Sequence, residues 1–224
     1  DPTSYKEFYS DLGATNGTKP SMQFAPYCLD PVNALPRVKW LIEWIQKNCP
    51  NGRILEVGPF DGITAIPVLR ACPGVQYTAV EVQDQAIEWF HEGARKLVPD
   101  AEARLKILKG TDEDLERLLH TDCFHVVVFF EVLEHVPFPM NSIFYLLDHL
   151  LPNGRLFLST PWGAYDNGSP VNLDKRDPRG HVRAMTPGDV VHMVRAAHGE
   201  VETLYNSRTT YHWGDTMHVM ARRG

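Results

Sequence analysis

The stretch Ile54-Leu55-Glu56-Val57-Gly58-Pro59-Phe60-Asp61-Gly62 constrains this chain more than any other. An apolar run ends in an acid, a glycine-bearing turn follows at once, and a helical pattern then begins with Ile63, Ile66 and Leu69. A strand that breaks into a tight turn beneath a helix start makes a crevice for a small ligand, because backbone N–H groups face it and glycines let the ligand come close. The acid at the strand end selects the charge of that ligand. Glu56 repels a pyrophosphate and suits an amino group.

Strand and helix patterns alternate through the rest of the chain. Apolar runs predict strands at 53–57, 76–80, 104–108, 124–130 and 155–159. The fourth is almost wholly apolar, as a central strand buried on both faces should be. Before the first strand, Pro36 opens a helix with Val38, Leu41, Ile42 and Ile45 on one face, and after the second, Asp84 caps one that carries Ile87, Phe90, Ala94 and Leu97. Residues 111–114 start a short helix ending near His120, and 140–151 are helical, with Pro152-Asn153-Gly154 turning into the fifth strand. Thr186 and Pro187 cap and begin a last helix. The alternation predicts an α/β fold: a mostly parallel sheet with helices on both faces. Two late runs, 201–205 and 217–221, have no helix between them and are expected to pair antiparallel through the loop around Tyr211-His212-Trp213-Gly214.

Size and charge narrow the function classes. A chain of 224 residues fits one α/β domain, read as 37–224, preceded by an arm over 1–36 whose Tyr5, Phe8, Tyr9, Phe24 and Tyr27 pack near the active site. A net charge of −6 argues against broad electrostatic binding of nucleic acid. No apolar run approaches the roughly 18 residues of a membrane span. The four cysteines, Cys28, Cys49, Cys72 and Cys123, are scattered, which suits free thiols in the cytoplasm and not a zinc site. The start at Asp1 leaves room for a fused or upstream domain.

A second acid, Glu81, closes the second strand, where it can accept hydrogen bonds from both ribose hydroxyls of a nucleoside; the other reading is a carboxylate favoured near a helix start. The form of 54–62, the segment Phe129-Phe130-Glu131-Val132-Leu133-Glu134-His135-Val136, and the later Leu158-Ser159-Thr160-Pro161 and His181-Val182-Arg183-Ala184-Met185-Thr186 together resemble the class I S-adenosylmethionine-dependent methyltransferases, in particular the small-molecule O-methyltransferase-like group. The resemblance implies a Rossmann-like, seven-stranded sheet with the last strand antiparallel. It implies S-adenosylmethionine as cofactor and S-adenosylhomocysteine as product. It assigns Glu56, Gly58, Phe60, Gly62 and Glu81 to the cofactor, with Thr111 and Asp112 at the adenine and Glu131 at cofactor or substrate. Thr111 with Asp114 also reads as a capping box. Three features separate this from a dinucleotide site: the turn lacks the full G-x-G-x-x-G pattern, Glu56 is misplaced for a pyrophosphate, and a third motif follows the fourth strand. The family usually has glycine where this chain has Phe60, which predicts a backbone region open to bulky residues there and a ring beside the methionine portion or the substrate pocket.

Methyl transfer from a sulfonium needs alignment and, for a hydroxyl acceptor, removal of a proton. His135, after the fourth strand, and His181, on the loop after the fifth, are the candidate bases, with Glu131 nearby. The acceptor expected is a small or medium-sized metabolite such as a sugar or natural-product intermediate. The loop 162–183 carries Trp162, Tyr165, Lys175, Arg176, Arg179 and Arg183, which either grip that acceptor or pair with Asp174 and Asp177. An alternative places Glu131, Glu134 and His135 on one face of a helical turn and joins them with His181 as a divalent-metal site, resembling RNA 2′-O-methyltransferases. A third reading is a non-catalytic cofactor-binding scaffold.

Overall fold

The computed structural model of the chain describes residues 29–162, 183–208 and 215–224. The expected arm lies mostly outside these residues, as does the loop around 211–214. The chain divides into two compact units, one ending at His120 and one beginning at Thr121.

The first unit opens with helix α1 (Pro36–Asn48), started by Pro36 in its first turn and burying Val38, Leu41, Ile42 and Ile45. Strand β1 (Arg53–Val57), helix α2 (Ala65–Ala71), strand β2 (Gln76–Glu81), helix α3 (Asp84–Leu97), the short helix α4 (Ala101–Arg104) and strand β3 (Leu105–Lys109) follow. A 3₁₀ turn over Asp112–Asp114 leads into helix α5 (Leu115–Leu119). β1, β2 and β3 run parallel. Asp84 is the first helical residue of α3 and not its cap, which is Gln83; its carboxylate pairs instead with Lys109 at 2.6 Å. Arg104, expected in a strand, ends α4. Its guanidinium donates to Leu69 O and Cys72 O at 3.0 and 3.3 Å and pairs with Asp100, so it serves carbonyls at the end of α2.

The second unit holds strand β4 (Phe124–Phe130), helix α6 (Pro139–Asp148), strand β5 (Leu150–Pro161), helix α7 (Pro187–Ala196), and strands β6 (Gly199–Arg208) and β7 (Asp215–Arg223). Every β4 residue except His125 is buried. Each Val or Phe there contributes about 1.5–3 kcal/mol of burial. β5 begins five residues earlier than its apolar run suggests, at Leu150. Pro152-Asn153-Gly154 does not precede the strand as a turn but forms an irregularity within it, with Asn153 left-handed at φ 66° and a register shift opposite Phe124–Val126. α7 starts in the expected way: Thr186 and Asp189 form a reciprocal capping box.

β5 runs parallel to β4, and β7 lies antiparallel between β5 and β6. The sheet order is β3-β2-β1-β4-β5-β7-β6. The strand order reverses after β1, the pattern of open α/β sheets that carry helices on both faces. No helix among the described residues is long and apolar enough to cross a membrane.

Candidate active site

In the first unit the carboxyl ends of β1 and β2 carry the two predicted acids, and both are buried: Glu56 is 2% exposed and Glu81 4%. Glu56 Oε2 accepts the Tyr77 hydroxyl at 2.7 Å. Burial lifts its pKa to about 7, against the pull of hydrogen bonds from Tyr77 and Thr64 and of the Arg37 charge. Tyr77, fully buried on β2, is itself driven upward by burial and by this acid. Glu81 Oε1 accepts the N–H groups of Val82 and Gln83 at 2.8 and 2.9 Å, and Oε2 accepts that of Phe60 at 2.9 Å. Burial raises the Glu81 pKa while these three donors oppose the shift.

The turn between the two acids is built from conformations that side chains avoid. Gly58 and Gly62 stand at φ 73° and 88°. A Cβ on Gly62 would lie 2.4 Å from the Phe90 ring, so only glycine fits between turn and α3. Phe60 also adopts a left-handed backbone, φ 52°, contrary to the expectation that its bulk would hold it elsewhere. The Glu81 bond to its N–H and the edge-on packing of its ring against Trp89, centroids 6.0 Å apart, offset the strain. Gly110 N–H bonds Glu81 O at 2.9 Å, which leads the chain from β3 to Thr111 and Asp112, both 5% exposed. The capping-box reading of this segment holds: Thr111 N–H and Oγ1 both donate to Asp114 Oδ2, at 3.0 and 3.2 Å. Asp112 opens the 3₁₀ turn beside it.

The second unit carries the third motif as an irregular turn after β4. Glu131 is left-handed at φ 55°, and its N–H continues the ladder to Ser159 O at 2.9 Å. Its Oε1 accepts the Ser159 hydroxyl at 2.6 Å. Glu134, 3% exposed, accepts the Thr160 hydroxyl at 2.9 Å, and its other oxygen lies 3.7 Å from His135 Nε2. His135 is half-buried. Two successive hydroxyls of β5 thus hold the two glutamates of the motif. Nothing in the motif itself signals this pairing; it depends on the register of β4 against β5. Arg183 donates to Pro137 O at 2.7 Å, which ties the segment before α7 to the same turn and commits one of its guanidinium nitrogens.

The helical-turn geometry behind the metal alternative does not form. The left-handed backbone takes Glu131 out of any α-turn, and Glu131 and Glu134 bond different hydroxyls. Among the described residues no group of three His, Cys, Asp or Glu side chains is placed to hold a metal ion. His181 lies outside the described residues, together with Tyr165, Lys175, Arg176 and Arg179.

In the first unit, two buried acids ending adjacent parallel strands with a left-handed glycine turn between them have the form of a small-ligand crevice in a Rossmann-like sheet. Residues 30–204 match the family described as methyltransferase domain, and the chain belongs to that family. The mitochondrial ubiquinone biosynthesis O-methyltransferase of Schizosaccharomyces pombe is 39% identical over 116 residues, which cover 51% of this chain and 40% of that protein. The ubiquinone biosynthesis O-methyltransferase of Rickettsia canadensis is 28% identical over 137 residues, 60% of this chain and 52% of that one. The chain therefore spans about half the length of the curated relatives it matches. In fold it is similar to magnesium protoporphyrin IX methyltransferase of Synechocystis PCC 6803, solved with bound S-adenosylmethionine, with a TM-score of 0.69, 15% identity and coverage of 99% and 98% of the two chains. The CcbJ methyltransferase of Streptomyces caelestis gives a TM-score of 0.70 at 15% identity, covering 100% and 99%.

Proposed function

We propose that the chain transfers a methyl group from S-adenosylmethionine to a hydroxyl of a small or medium-sized metabolite. The observation that carries this reading is the pair of buried acids, Glu56 and Glu81, on either side of the left-handed turn in a chain of the methyltransferase family. Glu56 supplies negative charge for an ammonium, and Glu81, held by three backbone donors, is a preorganised acceptor for a nucleoside hydroxyl. Thr111 and Asp112 are assigned to the adenine side. The cofactor supplies a methyl group already activated by positive sulfur. The remaining work of the chain is to align the acceptor oxygen and take its proton. His135 is the described residue suited to that, because Glu134 beside it steadies the ring and the cation that proton uptake creates, and Thr160 in turn fixes Glu134. His181 is kept as second base and Glu131 as the group facing cofactor or acceptor.

The names of the relatives support an O-linked, small-molecule acceptor. A cytoplasmic setting is part of the proposal and rests on the buried free thiols Cys49 and Cys72, although the S. pombe relative is named mitochondrial. The test is incubation with S-adenosylmethionine carrying an isotope-labelled methyl and a panel of hydroxylated aromatic and sugar metabolites, followed by mass spectrometry. A labelled methyl ether in any product supports the proposal. Labelling only of an RNA 3′ end, abolished by a chelator, would replace it with the metal-dependent reading. Cofactor binding without turnover on any acceptor would favour a scaffold.

A further inference from the structure

Phe60 stands where a left-handed backbone is costly for any residue with a side chain, at φ 52°. Its N–H reaches Glu81 Oε2 at 2.9 Å, while Val82 and Gln83 fill Oε1 at 2.8 and 2.9 Å. A carboxylate offers about four lone-pair positions. Three N–H donors leave one, on Oε2 beside the Phe60 donor. The Phe60 ring meets Trp89 on α3 edge-on, with planes at 72°. We propose that Phe60 is a positioning residue for the nucleoside: the Phe60–Trp89 contact holds the turn left-handed, the turn delivers its N–H to Glu81, and Glu81 is fixed with a single open acceptor position for one ribose hydroxyl. The inference rests on the proposed nucleoside role of Glu81 and adds the device that orients it.

The device makes an unusual demand on substitutions. Glycine holds a positive φ without help, so Phe60→Gly keeps the donor on Glu81 although the ring is gone. Alanine shares the backbone preference of phenylalanine but has no ring to rest on Trp89, so in Phe60→Ala the turn relaxes and the donor leaves. Binding must then restore the strained turn, and apparent affinity falls with the fraction of chains in the competent state. The smaller residue is thus the better substitute.

The experiment is calorimetric titration of S-adenosylhomocysteine into wild type, Phe60→Gly, Phe60→Ala and Trp89→Ala between about pH 6 and 9, with thermal unfolding to check each fold. Phe60→Ala is expected to bind roughly five- to thirty-fold more weakly than Phe60→Gly, the scale of the left-handed cost. Its affinity should also begin to fall at a higher pH on acidification, because Glu81 has lost a donor to its charged form. If Phe60→Ala does not fold, Trp89→Ala carries the test: it should weaken binding in the Phe60 background and be near neutral when combined with Phe60→Gly. Equal affinities and pH profiles for the glycine and alanine variants, or an equal Trp89→Ala effect in both backgrounds, would overturn the inference while leaving the proposed function intact. Failure of the wild type to bind S-adenosylhomocysteine would remove both.

Discussion

Replacing Glu56 by glutamine is expected to stabilise the chain increasingly as pH rises from 4.5 to about 7, and fully above that. Glu56 is 2% exposed, and its burial outweighs the Tyr77 and Thr64 hydrogen bonds and the Arg37 charge, so its pKa rises from the usual 4.5 to about 7. Between those two values the folded chain keeps a proton that the unfolded chain has released. The unfolded state binds fewer protons there, so stability falls as pH rises from 4.5 through about 7 and is level above. At ~1.4 kcal/mol per decade, the loss is about 3 kcal/mol. Glutamine is neutral throughout, and its carbonyl can still accept the Tyr77 hydroxyl. Urea unfolding of wild type and Glu56→Gln at about pH 4 and pH 8 measures the difference. The advantage of the variant should be about 3 kcal/mol larger at the higher pH, or about 6–12 °C in melting temperature for a domain of this size. A difference that does not change with pH, or that shrinks as pH rises, would refute the reasoning. Tyr77→Phe should act in the opposite sense and deepen the alkaline loss, because it removes a donor that favours the charged carboxylate.

Other expectations concern ligand and turnover. Glu81→Ala should weaken S-adenosylhomocysteine binding by one to two decades, corresponding to roughly 1.5–3 kcal/mol for a charge-assisted hydrogen bond; an unchanged dissociation constant would detach Glu81 from the nucleoside. Ser159→Ala removes the 2.6 Å donor that holds Glu131 and should lower turnover more than cofactor affinity, which steady-state kinetics set beside the calorimetric constant would show. His135→Ala should lower turnover on a hydroxyl acceptor by roughly 10²-fold or more with cofactor affinity little changed; full turnover across pH 6 to 9 would exclude His135 as the base.

The parts of this structure that follow from local rules were legible in the sequence. β4 was readable to its ends because a seven-residue run that is apolar except at His125 has one use in such a fold. Pro36 and Thr186 marked helix starts because capping chemistry is local. What escaped depends on partners far along the chain. Arg104 reads as a strand residue until the carbonyls of Leu69 and Cys72 require its guanidinium. Pro152-Asn153-Gly154 reads as a turn, yet Arg155 Nη1 donates to Asn153 O and Gly154 O, and the strand continues through it. At the site, Glu56 and Glu81 were visible as acids at strand ends, whereas the hydrogen bonds that define their chemistry came from Tyr77, Phe60, Val82 and Gln83. Ser159 and Thr160 belonged to a recognisable motif, but their partners, Glu131 and Glu134, are set by the β4–β5 register. Phe60 was misjudged because side-chain bulk forbids a left-handed turn only when nothing compensates it.

The claim on which the rest depends is that the two acids and their turn form a site for a sulfonium nucleoside and not for a dinucleotide. Calorimetric titration of the purified chain with S-adenosylhomocysteine and, separately, with NAD tests it most directly. The account predicts saturable, one-to-one binding of S-adenosylhomocysteine, weakened in Glu81→Ala, and no heat of binding with NAD. Saturable binding of NAD with none of S-adenosylhomocysteine would contradict it.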